Sequence, residues 1–543
     1  MMLINRRHLT LYEGPTRIKS RGAPGSLFSA VSTLFSSMIP LYPKAEERLV
    51  KISEPGLRKS RFAVLRTAAV FGIFLTVLFL VLFSYILGSL YQLGGHLHNL
   101  NVAFVDYDGG VVGEAVRQAY DGLRADTFFT LTEKSSSQFS QPGDLRSSVC
   151  DIEYWGALYI APGASDRLAA ALSDADAASS YNTSDVLTWV WNQARYPTTI
   201  DSLNQQVRTL SEAARIAYVQ LNGTGAMQSL DTSSPAAVSA YSNPWELVSV
   251  NIQPTSQGSR LIYNTLVIIL LMNQGFFFLG TVNGLYAQFK LFGRVKPLRM
   301  ILFRFAISGL YTLAGSMCAI GAVWAFRAGW DVNGYQWVLS WLTLWLFAHL
   351  NFLTLDVVAV WIPAPYVPMA LITWVVTNVA STLIPFELSP GFYKWGFALP
   401  AHAVYNVLIH IWSGGCNPQL NYALPVLFAY EIVSGVISGI GVYRRAHFAV
   451  IAAEKEEKSW HEKVANAVAS CTSRETLLEK TEATQGGMAP VNGDYEARVA
   501  SSGKGMPDRE ELTGKLCAAT TQMTLDKARE RPRESMGMTF SLR

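Results

Sequence analysis

The sequence predicts a polytopic α-helical membrane protein with about six transmembrane helices. An extracytoplasmic α/β domain is expected between helices 1 and 2, and a disordered cytosolic tail at the C-terminal end. Three observations predict this. Hydrophobic residues make up 50% of the 543 positions and charged residues only 15%, where a soluble chain carries roughly 25% charge. Charge-free apolar runs recur at the length that crosses a bilayer. Lysine and arginine concentrate on alternate sides of those runs, as the positive-inside rule requires.

A spanning helix needs about 20 apolar residues, because hydrocarbon offers its backbone no other hydrogen-bond partner. Residues 67–95, 261–289, 305–326 and 332–355 meet that length. The run 357–386 is broken by Pro363, Pro365 and Pro368, so its span is placed at 368–386. The last span covers about 422–443 and contains Glu431. Residues 395–412 are apolar but short, with Pro400, His402 and His410, and read as a re-entrant segment. Residues 1–62 hold 11 Lys/Arg against 4 acidic residues, and Lys290, Arg294, Lys296, Arg299 and Arg304 face no acid in their loop. Arg444 and Arg445 close the last span. Six spans with both termini cytosolic satisfy all three signals; seven would leave Arg444 and Arg445 outside.

The segments are therefore a basic cytosolic segment 1–63, helix 1 at 64–91, the outer domain at 92–259, helices 2–6 within 260–443, and the tail 444–543. Residues 27–42 suggest an amphipathic stretch on the inner leaflet. In the outer domain, residues 101–106 alternate, with Val102 and Phe104 on one face, and turn at Asp108-Gly109-Gly110 into a helix over 113–123. A second strand over 154–160 leads through Pro162-Gly163 to a helix opening at Ser165 or Asp166. Leu203, Val207, Leu210, Ala214 and Ala217 mark an amphipathic helix over 201–221. The two sequons, at Asn182 and Asn222, both fall in this domain and are its candidate N-glycosylation sites. Beyond Arg445 the chain turns polar without apolar periodicity, which reads as disorder.

Ionisable side chains inside a membrane are costly, so each is a functional candidate. Glu431, near the middle of the last span, is the leading one, as a proton or cation site or a substrate contact. Asp356 lies near the cytosolic end of span four, where it can snorkel to the interface. Asn273, Gln274, Asn283, His349 and Asn351 read as helix–helix hydrogen-bonding groups, and Gly280xxxGly284 and Gly435xxxGly439 as close-packing motifs. His402 and His410 share a helical face but lack a third ligand, so no metal site is expected. The five cysteines show no metal spacing; only Cys150 and Cys416 fall on the outer side of this topology, and their bonding is left open. No phosphate loop, nucleophile elbow, HExxH or dinucleotide fingerprint occurs, so no catalytic residue, cofactor or enzymatic activity is expected. The small net charge of +4 gives no basic face for nucleic acid.

The layout and three stretches carry a family resemblance: Asn101 to Gly110 (NVAFVDYDGG), Tyr154 to Gly163 (YWGALYIAPG, then Ser165), and Leu291 to Pro297 (LFGRVKP). Across about 60–445 the chain resembles the fungal nitrosoguanidine-resistance membrane proteins. More distantly it is similar to phage-infection-protein-like membrane proteins and type-two ABC exporter permeases. That resemblance implies fungal origin, a cell-surface protein linked to resistance to toxic compounds, and no catalytic residues to carry over. Two functions follow as expectations. One is a permease-like exporter of lipophilic compounds or lipids, working with a separate ATPase chain, as a homo-oligomer, or on a cation gradient through Glu431. The other is a non-transporting scaffold that binds membrane lipids and partners through its outer domain or tail.

Overall fold

The structure, a computed structural model, describes residues 54–255, 265–327 and 331–485. The expected amphipathic stretch at 27–42 lies outside them. The described residues from Leu80 onward form one compact unit, and the unit ending at Phe79 contributes the start of the first helix.

Helix α1 (Arg58–Ser89) begins among Arg58, Lys59, Arg61 and Arg66 and then runs without charge. Its side chains are exposed around the circumference, Leu65, Ile73 and Leu80 among them, as suits a helix in lipid. At its far end the Tyr85 carbonyl accepts from the Tyr393 hydroxyl at 2.8 Å.

An α/β domain follows. Strands β1 (Asn101–Asp106), β2 (Thr130–Lys134) and β3 (Gly156–Ile160) are parallel; β4 (Leu187–Trp191) is antiparallel to β3 and parallel to β5 (Leu247–Asn251), in the order β2-β1-β3-β4-β5. The inner strands are apolar on both faces because helices cover both. Val102, Phe104, Leu158 and Ile160 pack under α2 (Val111–Leu123), α4 (Ala164–Ser173) and α6 (Pro197–Ser229). Ala103, Val105 and Ala157 pack on the other face against Leu145 and Val149 of α3 (Pro142–Cys150). Two short helices, α5 (Ala175–Ser180) and α7 (Pro235–Ser242), pack beside α4. The helix expected over 201–221 is α6, longer at both ends.

The two strand–turn–helix stretches of the sequence meet at one corner. Asp106 Oδ1 accepts from the backbone N–H of Asp108 and of Gly109, at 3.0 and 2.8 Å. The Ser165 hydroxyl donates to Asp108, and its oxygen accepts from Val112 N–H at 3.1 Å. A Cβ at Gly113 would collide with the Asp106 carboxylate, and one at Gly110 with Ser165. Arg117 bridges Asp106 and Glu133, each at 2.8 Å. The Glu133 carboxylate beside that guanidinium pushes its proton affinity up.

The remaining chain is a helical bundle: α8 (Leu266–Gln288), the short α9 (Leu291–Arg294), α10 (Pro297–Ala325), α11 (Gly334–Trp361), α12 (Val367–Leu383), α13 (Pro400–Trp412) and α14 (Leu420–Gln485). Together with α1, helices α8, α10, α11, α12 and α14 make six among the described residues that are long and apolar enough to cross a membrane. Pro363 and the 3-10 turn Ala364–Tyr366 separate α11 from α12, where the prolines predicted a break. Helix α13 has 13 residues, about 20 Å at 1.5 Å each, against roughly 30 Å of hydrocarbon. It is buried nearly throughout and joins the bundle to the α/β domain. Tyr196 N–H donates to the Tyr405 hydroxyl at 3.1 Å, and Ile384, Leu388, Tyr405 and Ile409 extend the domain's own core. Cys150, at the end of α3, is disulfide-bonded to Cys416 in the α13–α14 connection, a pairing the sequence left open.

Two expectations need correction. Residues 444–485, read as part of a disordered tail, continue α14 as helix; Ala, Glu and Lys there favour a helix without an apolar stripe. Lys290 pairs with Glu456 at 2.8 Å and ties this extension to the α8–α9 turn. The rest of the tail lies outside the described residues. Gly280 and Gly284 admit no close helix approach, since nothing lies within 4 Å of a Cβ built at either. Gly435 and Gly439 do pack, against Phe305, Leu353 and Ile301.

Candidate functional site

Polar groups collect along the seam where α10, α11 and α14 meet. These helices cross a membrane on composition, so each buried polar side chain there must find its partner within the protein. Glu431, twelfth residue of α14, is one such group. Its Oε1 is hydrogen-bonded to His349 Nδ1 of α11 at 2.6 Å. His349 Nε2 meets the Ser308 hydroxyl of α10 at 3.0 Å. The Phe305 ring stands edge-on to the imidazole, 4.8 Å between centroids. The His349 and Glu431 side chains are only 7% and 17% exposed, and Glu431 Oε2 is buried with no hydrogen-bond partner among the described residues.

Geometry allows this chain two proton placements. Ser308 Oγ also lies 3.1 Å from the Phe305 carbonyl, to which it can donate. When it does, His349 donates from Nε2 to Ser308, and Nδ1 is free to accept from a protonated Glu431. When Ser308 instead donates to Nε2, His349 carries its proton on Nδ1 and donates to a carboxylate. The two forms differ by one proton and by the His349 tautomer, and the Ser308 hydroxyl rotates to suit each without moving a helix.

Two turns further along α11, Asp356 does not snorkel as expected. It is fully buried. Its Oδ1 forms a close ion pair with Arg304 Nη2 at 2.7 Å and lies 2.9 Å from Arg445 Nη1, while Oδ2 accepts from the Ser438 hydroxyl at 2.5 Å. Asn283 Oδ1 accepts from Arg304 at 2.9 Å, so this asparagine serves the charge cluster as well as helix packing. Tyr286 presents its ring face to Arg304, 5.0 Å from the centroid. Two cations against one anion leave the cluster with a net positive charge.

Between couple and cluster lies a cavity of about 10 Å³ whose polar lining is Arg304, Ser308, Asp356 and Ser438. That is the space one water needs, with the two to four polar partners a buried water takes. Beside it Thr354 and Ser434 bond to each other at 2.9 Å.

The other candidates are not brought to this seam. His402 Nδ1 bonds the Ser381 carbonyl at 3.0 Å and His410 Nδ1 the Asn417 carbonyl at 2.7 Å, so the two histidines serve different neighbours. Asn273 Nδ2 donates to the Ile269 carbonyl of its own helix, and Asn351 Oδ1 accepts from Trp374. Gln274 lies in an apolar groove of about 670 Å³ between α8 and α10, opposite Gly315. Asn182 is exposed in an irregular segment, where its Oδ1 accepts from Ser184 N–H. Asn222 sits inside α6, its amide against the Tyr218 hydroxyl at 3.4 Å. Among the described residues no three His, Cys, Asp or Glu side chains gather as a metal site. Arg304 and Arg445 were read only as topology signals; their place on apolar helices was the sign that they are more than that.

No solved structure matches the chain. A family model does, over residues 71–436, about two thirds of the 543 positions. It takes in most of α1, the whole α/β domain, helices α8–α13 and the start of α14 with Glu431, and ends before Ser438 and Arg445. The chain belongs to the family described as a protein of unknown function, DUF3533.

Proposed function

We propose that the protein is a permease-like exporter of lipophilic compounds or lipids, with the His349–Glu431 couple as its proton-exchange centre. One observation carries the reading: a carboxylate held deep in the bundle, bonded through one oxygen to an imidazole and with its other oxygen unpartnered among the described residues. A buried carboxyl oxygen without a partner departs from the usual pairing and fits a group that exchanges a proton. The open apolar groove between α8 and α10 suits a lipophilic cargo, and the resemblance to nitrosoguanidine-resistance proteins agrees with a role in resistance. Glu431→Gln keeps the shape and removes the titrating proton. It is expected to lower resistance to lipophilic toxicants, or export of a lipid probe, about tenfold or more at unchanged abundance in the membrane. Unchanged resistance would remove the coupling role. The scaffold reading would then stand on the exposed, charged extension of α14 over 454–463.

In this reading the α/β domain is outside, both termini are cytosolic and the plasma membrane is the site of action. Two features support that orientation. The basic loop around Lys290–Arg299 follows α8, the helix that leads away from the α/β domain. The Cys150–Cys416 disulfide belongs in an oxidising compartment. Asn182 is then expected to carry a glycan and Asn222, held within a helix, to carry none. Loss of the gel shift in Asn182→Gln but not in Asn222→Gln would meet the expectation; an unshifted wild-type chain in a glycosylating host would count against the orientation.

A further inference from the structure

We propose that protons reach the His349–Glu431 couple from the basic-loop end of the bundle, through a one-water site and the Ser308 hydroxyl, and that Arg304, Asp356 and Arg445 set the electrostatic level of that passage. This rests on the reading of Glu431 as a proton-exchange group and gives it a route.

The route follows from what closes the others. Around Glu431 on α14, Phe428, Ile432, Val433 and Val436 are half or more exposed apolar side chains, so the sideways path is hydrocarbon. Along the seam in the direction of Leu420, Ala423 and Leu427 are wholly buried and pack with Leu344 and Phe347 in one apolar cluster. The third direction is polar from the couple to the cluster. There His349 Nε2 meets Ser308, Ser308 lines the cavity, and the far wall is Arg304, Asp356 and Ser438. Arg445, 18% exposed, is the member of the cluster nearest to water.

The transfer balances as a relay. A proton entering at the cavity water passes to Ser308 Oγ as the Ser308 proton moves to His349 Nε2. His349 gives up its Nδ1 proton to Glu431 Oε1. The carboxylate gains one proton, the water side loses one, and serine and histidine each end with the number they began with. Rotation of the Ser308 hydroxyl toward the Phe305 carbonyl accompanies the new tautomer.

The charged groups beside the couple are Arg304 of α10, Asp356 of α11 and Arg445 of α14, and the neutral titratable groups on the packed elements include Tyr286 of α8, Tyr311 of α10 and Tyr430 of α14. To these are added His402 and His410 of α13, which are bonded to backbone carbonyls instead. The net charge near the cavity is therefore positive. It keeps a proton from resting in the passage, so removing one guanidinium lowers the barrier that a proton meets there.

The test uses the full chain reconstituted in phosphatidylcholine vesicles. Infrared difference spectra against Glu431→Gln identify the Glu431 carboxyl band. Its exchange rate is followed after transfer to D2O. Ser308→Ala is expected to slow exchange about tenfold or more while leaving the band in place. Thr354→Val, beside the route but not on it, should exchange as wild type does. Arg445→Gln, which removes one positive charge from the passage, should speed exchange. Wild-type exchange in Ser308→Ala overturns the route, as does equal slowing in Thr354→Val. Wild-type exchange in Arg445→Gln overturns the electrostatic part. If no carboxyl band is lost in Glu431→Gln, the failure lies earlier, in Glu431 as a proton-exchange group.

Discussion

Replacing Asp356 by alanine is expected to destabilise the bundle by about 3–5 kcal/mol and to deplete the protein from the membrane. Among the described residues the carboxylate is the only anion in contact with Arg304, whose side chain is 6% exposed. It also holds Arg445 and Ser438. Without it, one guanidinium is left buried against Tyr286 and Phe292 with Asn283 as its remaining polar contact. Breaking a buried pair by removing one member leaves an uncompensated charge, and that residue of charge is the cost. The double variant Asp356→Leu with Arg304→Met removes both charges and restores apolar volume, so it should recover most of the lost stability. Arg445, partly exposed, can turn its head to the interface in that background. The check is a thermal melt in detergent together with abundance in the membrane fraction. An Asp356→Ala protein that melts like wild type would mean that the three charges are solvated in the membrane and do not depend on one another.

Cys150→Ser gives the second large effect. The disulfide closes a loop of sequence separation 266 between the α/β domain and the α13–α14 connection. Loop-closure entropy for such a span is worth at most about 5 kcal/mol, and the chain inside the loop is already restrained by its spans, so a loss of about 2–4 kcal/mol is expected. Tyr405 and its contacts with Tyr196 and Ala194 remain as the noncovalent part of the junction. The domain should therefore keep its own fold and loosen from α13. Limited proteolysis reads this: faster cleavage in the α13–α14 connection, with the α/β domain still resistant. Equal protease resistance of Cys150→Ser and wild type would show that the aromatic junction suffices alone.

The spans were legible because length and apolarity leave one solution for a run of some 20 residues in lipid. The alternation over 101–106, its turn at Asp108–Gly110 and the parallel stretch ending at Gly163 were legible for a similar local reason. What the sequence did not reveal is who meets whom. His349 and Glu431 are 82 residues apart, and Asp356 and Arg445 are 89 apart. No local period links them, so Asp356 read as a side chain escaping to the interface when its partners lay on two other helices. The α14 extension was misread for the opposite reason. An exposed helix has no apolar stripe to reveal it, and only residue propensity and the Lys290–Glu456 contact speak for it.

That extension makes α14 a torsional shaft. Its one proline, Pro425, precedes Glu431, so from Glu431 to Gln485 no residue lacks the N–H that continues the ladder of backbone hydrogen bonds. At 1.5 Å per residue this stretch is about 80 Å long. A helix so bonded turns as one piece: a rotation that swings Glu431 toward or away from His349 also turns the charged face over 454–463, and with it the grip of Glu456 on Lys290.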